Sequence, residues 1–276
     1  MPAIPHDRLS IGTFYNPHLA EFTLAHAHLI DHLAMADPPA ADDQFFPDIQ
    51  SHFPLLLHDY LGQLSDPLSA FALKRARALQ DRYRSPWVAE HFQCLHTQDH
   101  SRSLDYVFPP LYTEEFLKRF CENAVILREA VNAPLVMENI PGFFSVRRAQ
   151  MSEAEFLRRF FEQTGCGFLI DVPHIWLAAH YRGIDARDYL ADFPLDRVVE
   201  IHVAGVEFDR DLEGPWIAPT PPGEQILSLA SWVAERAPKL RAVTVDVFSP
   251  AVTAAQLEDS MRRTRARFAI ASAAAS

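Results

Sequence analysis

Short apolar stretches recur along the chain, and six of them close on a His, Asp or Glu side chain. LSIGTFY (9–15), HLIDHLAM (28–35), FPLLLHD (53–59), SPWVAEHF (85–92), APLVMEN (133–139), GCGFLID (165–171), VVEIHVAG (198–205) and RAVTVDVF (241–248) are rich in Leu and β-branched residues. Runs of this length without alternation read as strands buried on both faces, as in a parallel sheet. Between them lie patterns of helical period at 66–83, 113–131, 152–164 and 223–237. Ser152 with Glu155 forms a capping box, and Thr113 precedes Glu114 and Glu115 as an N-cap. Gly165 and Gly167 mark a helix stop that feeds the next strand. Eight strands alternating with helices predict an α/β fold of the (β/α)8 TIM-barrel kind. The barrel is expected to span about residues 9–250 of a single domain, followed by a C-terminal helix and a frayed tail over 251–276. Segments 36–48 and 209–224, rich in Pro and Asp, read as loops on the rim where the strands end.

Composition narrows the function classes. The 276 residues are 49% apolar, with 25 basic and 36 acidic side chains and a formal charge of -11. No basic stripe exists to follow a phosphate backbone, so nucleic acid is not the expected partner. No window approaches 18 uncharged apolar residues, and the N-terminus lacks a signal-peptide core, so neither a membrane span nor export is expected. Three cysteines, Cys94, Cys121 and Cys166, fit neither a disulfide framework nor a zinc ribbon, which points to the reducing cytoplasm. Nine glycines in all, with no glycine-rich loop after a strand, argue against an open dinucleotide-binding sheet.

The chemistry sits at the strand ends. Six runs finish on His58, His91, Glu138, Asp171, His202 and Asp246. In a parallel barrel these ends share one rim, where active sites form. A single His there is more often a hydrogen-bonded polar residue than a ligand. Six together make a metal site the better reading, because clustered carboxylates raise one another's pKa unless cations are present. Imidazole mixed with carboxylate suits Fe, Mn or Zn better than Mg or Ca. Glu138 has two oxygens with which to bridge two ions. Asn139 is a ligand, a substrate contact or a backbone partner. Asp171 and His174 meet one ion if a helix starts between them, although Pro173 complicates that path; the competing role for His174 is packing on Trp176. Asp246 also fits a turn cap.

The segments LLLHDYLGQLSDP, SPWVAEHFQ, FPPLYTEEFL, PLVMENIPGFF, TGCGFLIDVPHIWLAA, EIHVAGVEFDRDLEG and AVTVDVFSP follow one another as in the multinuclear non-heme iron-dependent oxidative enzymes, and the chain resembles that family over roughly 9–250. The resemblance implies a TIM barrel holding two or three iron ions that activate dioxygen as co-substrate. It also implies a ribosomally made precursor peptide as substrate, commonly modified at Cys, and a small partner protein that delivers it. His58, His91, Glu138, Asp171 and His202 match the family's ligands, with His58, Glu138, Asp171 and His202 expected at the reaction centre. His174 stands where an Asn is usual, Asp246 where Glu is common, and His32 where relatives tend to have Glu.

One departure bears on the metal count. Where the family carries an Asp-Thr-His triplet after IHVAG, this chain has Ala218, Pro219 and Thr220, of which Ala and Pro cannot ligate. Two metals are therefore expected, or three if Glu207, Asp209, Asp211 or Glu213 substitutes. The rival class is a divalent-metal hydrolase or isomerase of the endonuclease IV or xylose isomerase-like type, whose pattern Asp171 and His174 also fit. A third reading is a barrel that binds a peptide without turnover.

Overall fold

In the computed structural model the apolar runs become eight parallel strands that pair in a closed ring. The structure describes residues 2–36, 38–58, 64–96, 103–142, 148–209, 214–247 and 249–274. The strands are β1 (Ser10–Phe14), β2 (Leu33–Met35), β3 (Leu55–His58), β4 (Val88–His91), a hairpin of β5 (Cys94–His96) and β6 (Ser103–Phe108), β7 (Leu135–Glu138), β8 (Gly167–Asp171), β9 (Val198–Val203), a second hairpin of β10 (Gly205–Asp209) and β11 (Gly214–Ala218), and β12 (Ala242–Val245). The helices are α1 (Ala20–Ala25), α2 (Phe46–His52), α3 (Ala70–Tyr83), α4 (Glu114–Val131), α5 (Glu153–Thr164), α6 (Val172–Arg182), α7 (Ala186–Leu190), α8 (Glu224–Ala234) and α9 (Ala254–Ala274). Around the barrel the order is β1-β12-β9-β8-β7-β4-β3-β2, closed by the parallel pairing of β1 with β2.

Alternation along each strand divides the interior in two. Phe14, Ala34, Leu56, Trp87, Ala89, Val136, Leu169 and Ala242 pack inside the barrel, while the opposite faces pack against the helices. Helix α5 shows how sequence sets this outer layer. Ser152 Oγ accepts the Glu155 amide at 3.1 Å, Phe156, Leu157, Phe160 and Phe161 form one buried stripe, and Gly165 ends the helix at a φ of 69°. Left-handed backbone at that position favours glycine. The stripe meets Phe92 and Phe120 of the neighbouring elements edge to face, so an aromatic cluster fastens α4 and α5 to the barrel.

Several expectations change. Only Leu33–Met35 of the 28–35 run pairs as strand; Ala27–Leu29 forms a 3-10 turn. Asp31 is occupied instead in accepting the Ile11 amide and the Arg8 guanidinium. The 36–48 loop ends inside α2, and 209–224 contains β11, whose five residues find antiparallel partners on β10. Helix α9 runs to Ala274, in keeping with the helix propensity of Ala.

Candidate metal centre

The rim at the carboxyl ends of the strands gathers all seven predicted side chains. β3 supplies His58, β4 His91, β7 Glu138, β8 Asp171 and β9 His202; His174 lies in the first turn of α6 and Asp246 just beyond β12. Among the described residues, three groups of three bring potential ligand atoms within 4.8 Å of one another: His58, His91 and Glu138; Glu138, Asp171 and His174; Asp171, His202 and Asp246. Glu138 and Asp171 each belong to two groups. The bridging role expected of Glu138 thus has the required geometry, and Asp171 occupies a second bridging position that the sequence did not single out.

Glu138 is the hub. Its Oε2 lies 3.2 Å from His58 Nε2 and 3.3 Å from His91 Nε2, and its Oε1 lies 3.6 Å from His174 Nδ1 and 3.9 Å from His202 Nδ1. His202 Nδ1 is also 4.0 Å from both Asp171 Oδ2 and Asp246 Oδ2. The Phe14 ring stands edge-on to His58 and His202 and forms an apolar wall beside them.

Pro173 helps where it was expected to interfere. Asp171 is the N-cap of α6, its Oδ1 accepting the His174 amide at 2.6 Å, and the proline occupies the first turn, where no helical N–H is needed. This start turns the His174 ring toward Glu138 and Asp171, with its Nδ1 2.9 Å from Asn139 O. Trp176, the packing partner considered for His174, stacks on His180. Asn139 takes the backbone role: its amide donates to Asp171 O and its carbonyl oxygen accepts the Asp171 amide, tying β7 to β8.

Burial and mutual charge set the protonation. Burial pushes the Glu138 carboxyl up, but His91, His202 and His58 hold it well below the ordinary range. Burial and the carboxylates Glu138 and Asp246 raise Asp171 well above its usual value. Asp246 is raised, chiefly by burial. His202 is pushed up to about 10, the effect of Glu138 and Glu200 overcoming burial. Burial lowers His174. The upward shifts of Asp171 and His202 mark mutual charge that a cation bound there would neutralise.

His32, a candidate from the resemblance, is not on the rim. It precedes β2 and is fully buried lower in the barrel, hydrogen-bonded to Ser10 and Thr244. Sequence reading missed Glu200, which lies 3.3 Å from His202 Nε2. Its signal was present: in VVEIH the acid stands two positions before the histidine, on the same face of the strand. Ala218 ends β11, and Glu207 is exposed on β10; neither joins a cluster, nor does Asp209. Asp211 and Glu213 lie outside the described residues. Three groups therefore form without the missing triplet.

Solved structures with this fold include a xylose isomerase domain-containing protein from Salmonella typhimurium (TM-score 0.63, 11% identity, 98% of this chain and 100% of that one). L-ribulose 3-epimerase follows (0.63, 14%, 97% of each), as does endonuclease IV from Thermus thermophilus (0.59, 15%, 95% and 99%). At such identities the likeness establishes the xylose isomerase-like barrel alone. Among curated proteins, a UPF0276 protein of Rhizobium meliloti is 33% identical over 223 residues, covering 77% of this chain and 71% of its own length. A UPF0276 protein of Caulobacter vibrioides is 31% identical over 166 residues, 59% of each chain. One from Bordetella pertussis is 34% identical over 149 residues, 54% of this chain and 51% of its own. Residues 22–217 match the family model described as RiPP precursor modification enzyme MbnB/TglH/ChrH, a span that includes every residue of the centre except Asp246. The chain belongs to this family, whose members modify precursors of ribosomally synthesised, post-translationally modified peptides.

Proposed function

We propose that this chain is an iron-dependent oxidase that uses dioxygen to modify a residue, a cysteine, of a ribosomally synthesised precursor peptide. The observation that carries this reading is the string of three overlapping imidazole–carboxylate triads at the barrel mouth of a chain from a peptide-modifying family. The residues fit metal. Glu138 Oε2, His202 Nδ1 and Asp246 Oδ1 are buried and make no hydrogen bond among the described residues. Buried polar atoms of that kind call for a ligand, and donors of mixed N and O suit iron.

His58 and His91 with Glu138, His174 with Glu138 and Asp171, and His202 and Asp246 with Asp171 would hold the ions. Bound iron supplies one-electron chemistry toward dioxygen and lowers the pKa of a neighbouring thiol. The protein's own side chains fix the approach. Glu138, Asp171 and His202 are 1–2% exposed and form the floor, whereas His91 at 16%, His174 at 14% and Asp246 at 22% face the opening. The peptide side chain therefore enters past His91, His174 and Asp246. Phe14 keeps water from the inner side of His58 and His202. A small partner protein presenting the peptide completes the proposal; no helix among the described residues is long and apolar enough to cross a membrane.

The test is metal analysis of anaerobically purified protein, with spectra recorded before and after dioxygen, followed by incubation with a precursor peptide encoded beside the gene. Bound iron, a spectral change on oxygen and a mass change in the peptide support the reading. Zinc or manganese inert to oxygen would replace it with the hydrolase or isomerase. A chain that stays empty after iron reconstitution is a binding barrel.

A further inference from the structure

Directly beneath the candidate metal centre, a buried chain of polar side chains runs among the apolar residues inside the barrel. Ser10, His32, Glu200, His202 and Thr244 are all 0–1% exposed, and Trp87 joins them from the residue just before β4. Ser10 Oγ lies 2.8 Å from His32 Nδ1, and His32 Nε2 lies 2.9 Å from Thr244 Oγ1. The Thr244 hydroxyl donates to Glu200 Oε1 at 2.5 Å, and Trp87 Nε1 donates to Glu200 Oε2 at 2.8 Å. His202 Nε2 completes the chain, 3.3 Å from Glu200 Oε1.

Only one assignment of protons satisfies every neutral member. The indole can only donate, so Glu200 Oε2 accepts. Thr244 has a single proton and gives it to Glu200, so its lone pair receives the His32 Nε2 proton. His32 Nδ1 is then the acceptor of the Ser10 hydroxyl proton. With Glu200 accepting throughout, His202 Nε2 must be the protonated nitrogen, and Nδ1 is the atom turned to Glu138, Asp171 and Asp246. Flipping the ring would put carbon against Glu200 on one side and against the three carboxylates on the other, so the placement is fixed by its partners. The seat for His32 is made by Gly12: a Cβ there would lie 2.2 Å from His32 O and 2.5 Å from its ring.

We propose that Glu200 is a positioning residue: with Thr244 and His32 behind it and Trp87 beside it, it holds the Nε2 proton of His202 and so presents Nδ1 as the atom that ligates metal. Histidine ligands usually need such a partner on their other nitrogen, and its loss weakens metal affinity 10–100-fold. The inference rests on the reading of the rim as a metal site, and it specifies an atom where that reading specifies only a residue.

The test uses zinc, which is diamagnetic, on the full chain labelled with 15N-histidine, the His202 signals being assigned from a His202→Gln variant. The expected result is a proton on Nε2 of His202 and a metal-shifted Nδ1. By chelator competition, Glu200→Gln raises the zinc dissociation constant 10–100-fold, and Thr244→Val raises it about tenfold. Thr244→Ser, which keeps the hydroxyl, retains wild-type affinity, and melting of each metal-free variant confirms that it folds. Zinc bound through Nε2 of His202, or wild-type affinity in folded Glu200→Gln and Thr244→Val, overturns the proposal while leaving the metal site standing. A wild-type chain that takes up neither zinc nor iron overturns both.

Discussion

Replacing Glu138 with Gln separates the three triads by count. The substitution keeps the shape of a 1%-exposed side chain but turns one oxygen into an amide that cannot ligate and leaves the other a neutral carbonyl without the charge that holds a cation. Glu138 belongs to the first and middle triads and not to the last, so two groups lose their shared anionic donor while Asp171, His202 and Asp246 stay complete. An ion present at a hundred times its dissociation constant stabilises the fold by about 2.7 kcal/mol. In a chain of this size each kcal/mol moves Tm by about 2–4 °C, so one saturated triad contributes roughly 5–10 °C. Glu138→Gln should therefore lose about two-thirds of the rise in Tm that metal gives the wild type, and Asp246→Asn about one-third. Differential scanning calorimetry of metal-free and reconstituted protein, with the metal counted by mass spectrometry, measures both. A Glu138→Gln variant that keeps the wild-type metal count and the full rise in Tm would refute the assignment of Glu138 as the shared ligand.

Three further outcomes follow. Because His202 is held at about 10 and Asp171 is raised, metal must displace protons at neutral pH, and affinity should weaken about tenfold for each unit that pH falls between 9 and 6. Calorimetry in two buffers of different ionisation heat should register at least one proton released per chain, and none released would contradict it. Asp31, braced by Arg8, Arg265 and the Ile11 amide against the opposing effect of burial, is lowered from 3.8 to about 2. Its stabilisation is present above 3.8 and is lost as pH falls through about 2, so Asp31→Asn should cost about 2 kcal/mol at pH 7 and only a small fraction of that near pH 2. Urea titrations of both proteins across that range test it. Gly12→Ala, which forces a Cβ to 2.2 Å from the His32 carbonyl, should destabilise by about 1–3 kcal/mol in the same assay, and an unchanged midpoint would show that the strand yields freely.

Most of the ring of strands was legible because the runs are largely apolar and six of them end on a residue whose chemistry contradicts its neighbours. The hairpin of β10 and β11 was not: Pro215, Pro219 and the charges around them read as loop, and only the register Glu207↔Trp216 and Phe208↔Pro215 makes a sheet of them. At the centre, residue types were enough to collect the seven rim side chains, but not to say which carboxylate serves two groups. That depends on the β8–β9 register, which sets Asp171 beside His202, and on the helix start that turns His174 inward. Glu200 and Glu90 show the limit most clearly. Both precede a strand-end histidine and both are buried. The acid one position before His91 faces away from the barrel interior, while the acid two positions before His202 faces into it, a difference of parity that carries meaning only once the strand is known.

The triads also follow the chain in order: 58, 91 and 138; then 138, 171 and 174; then 171, 202 and 246. Cut between β7 and β8, the barrel would give one part with five of its strands and one with three, each owning one complete triad. Only the middle triad belongs to neither, drawing Glu138 from the first part and Asp171 with His174 from the second. An ion there is a seam across the molecule, and its occupancy reports whether the two parts have met in register.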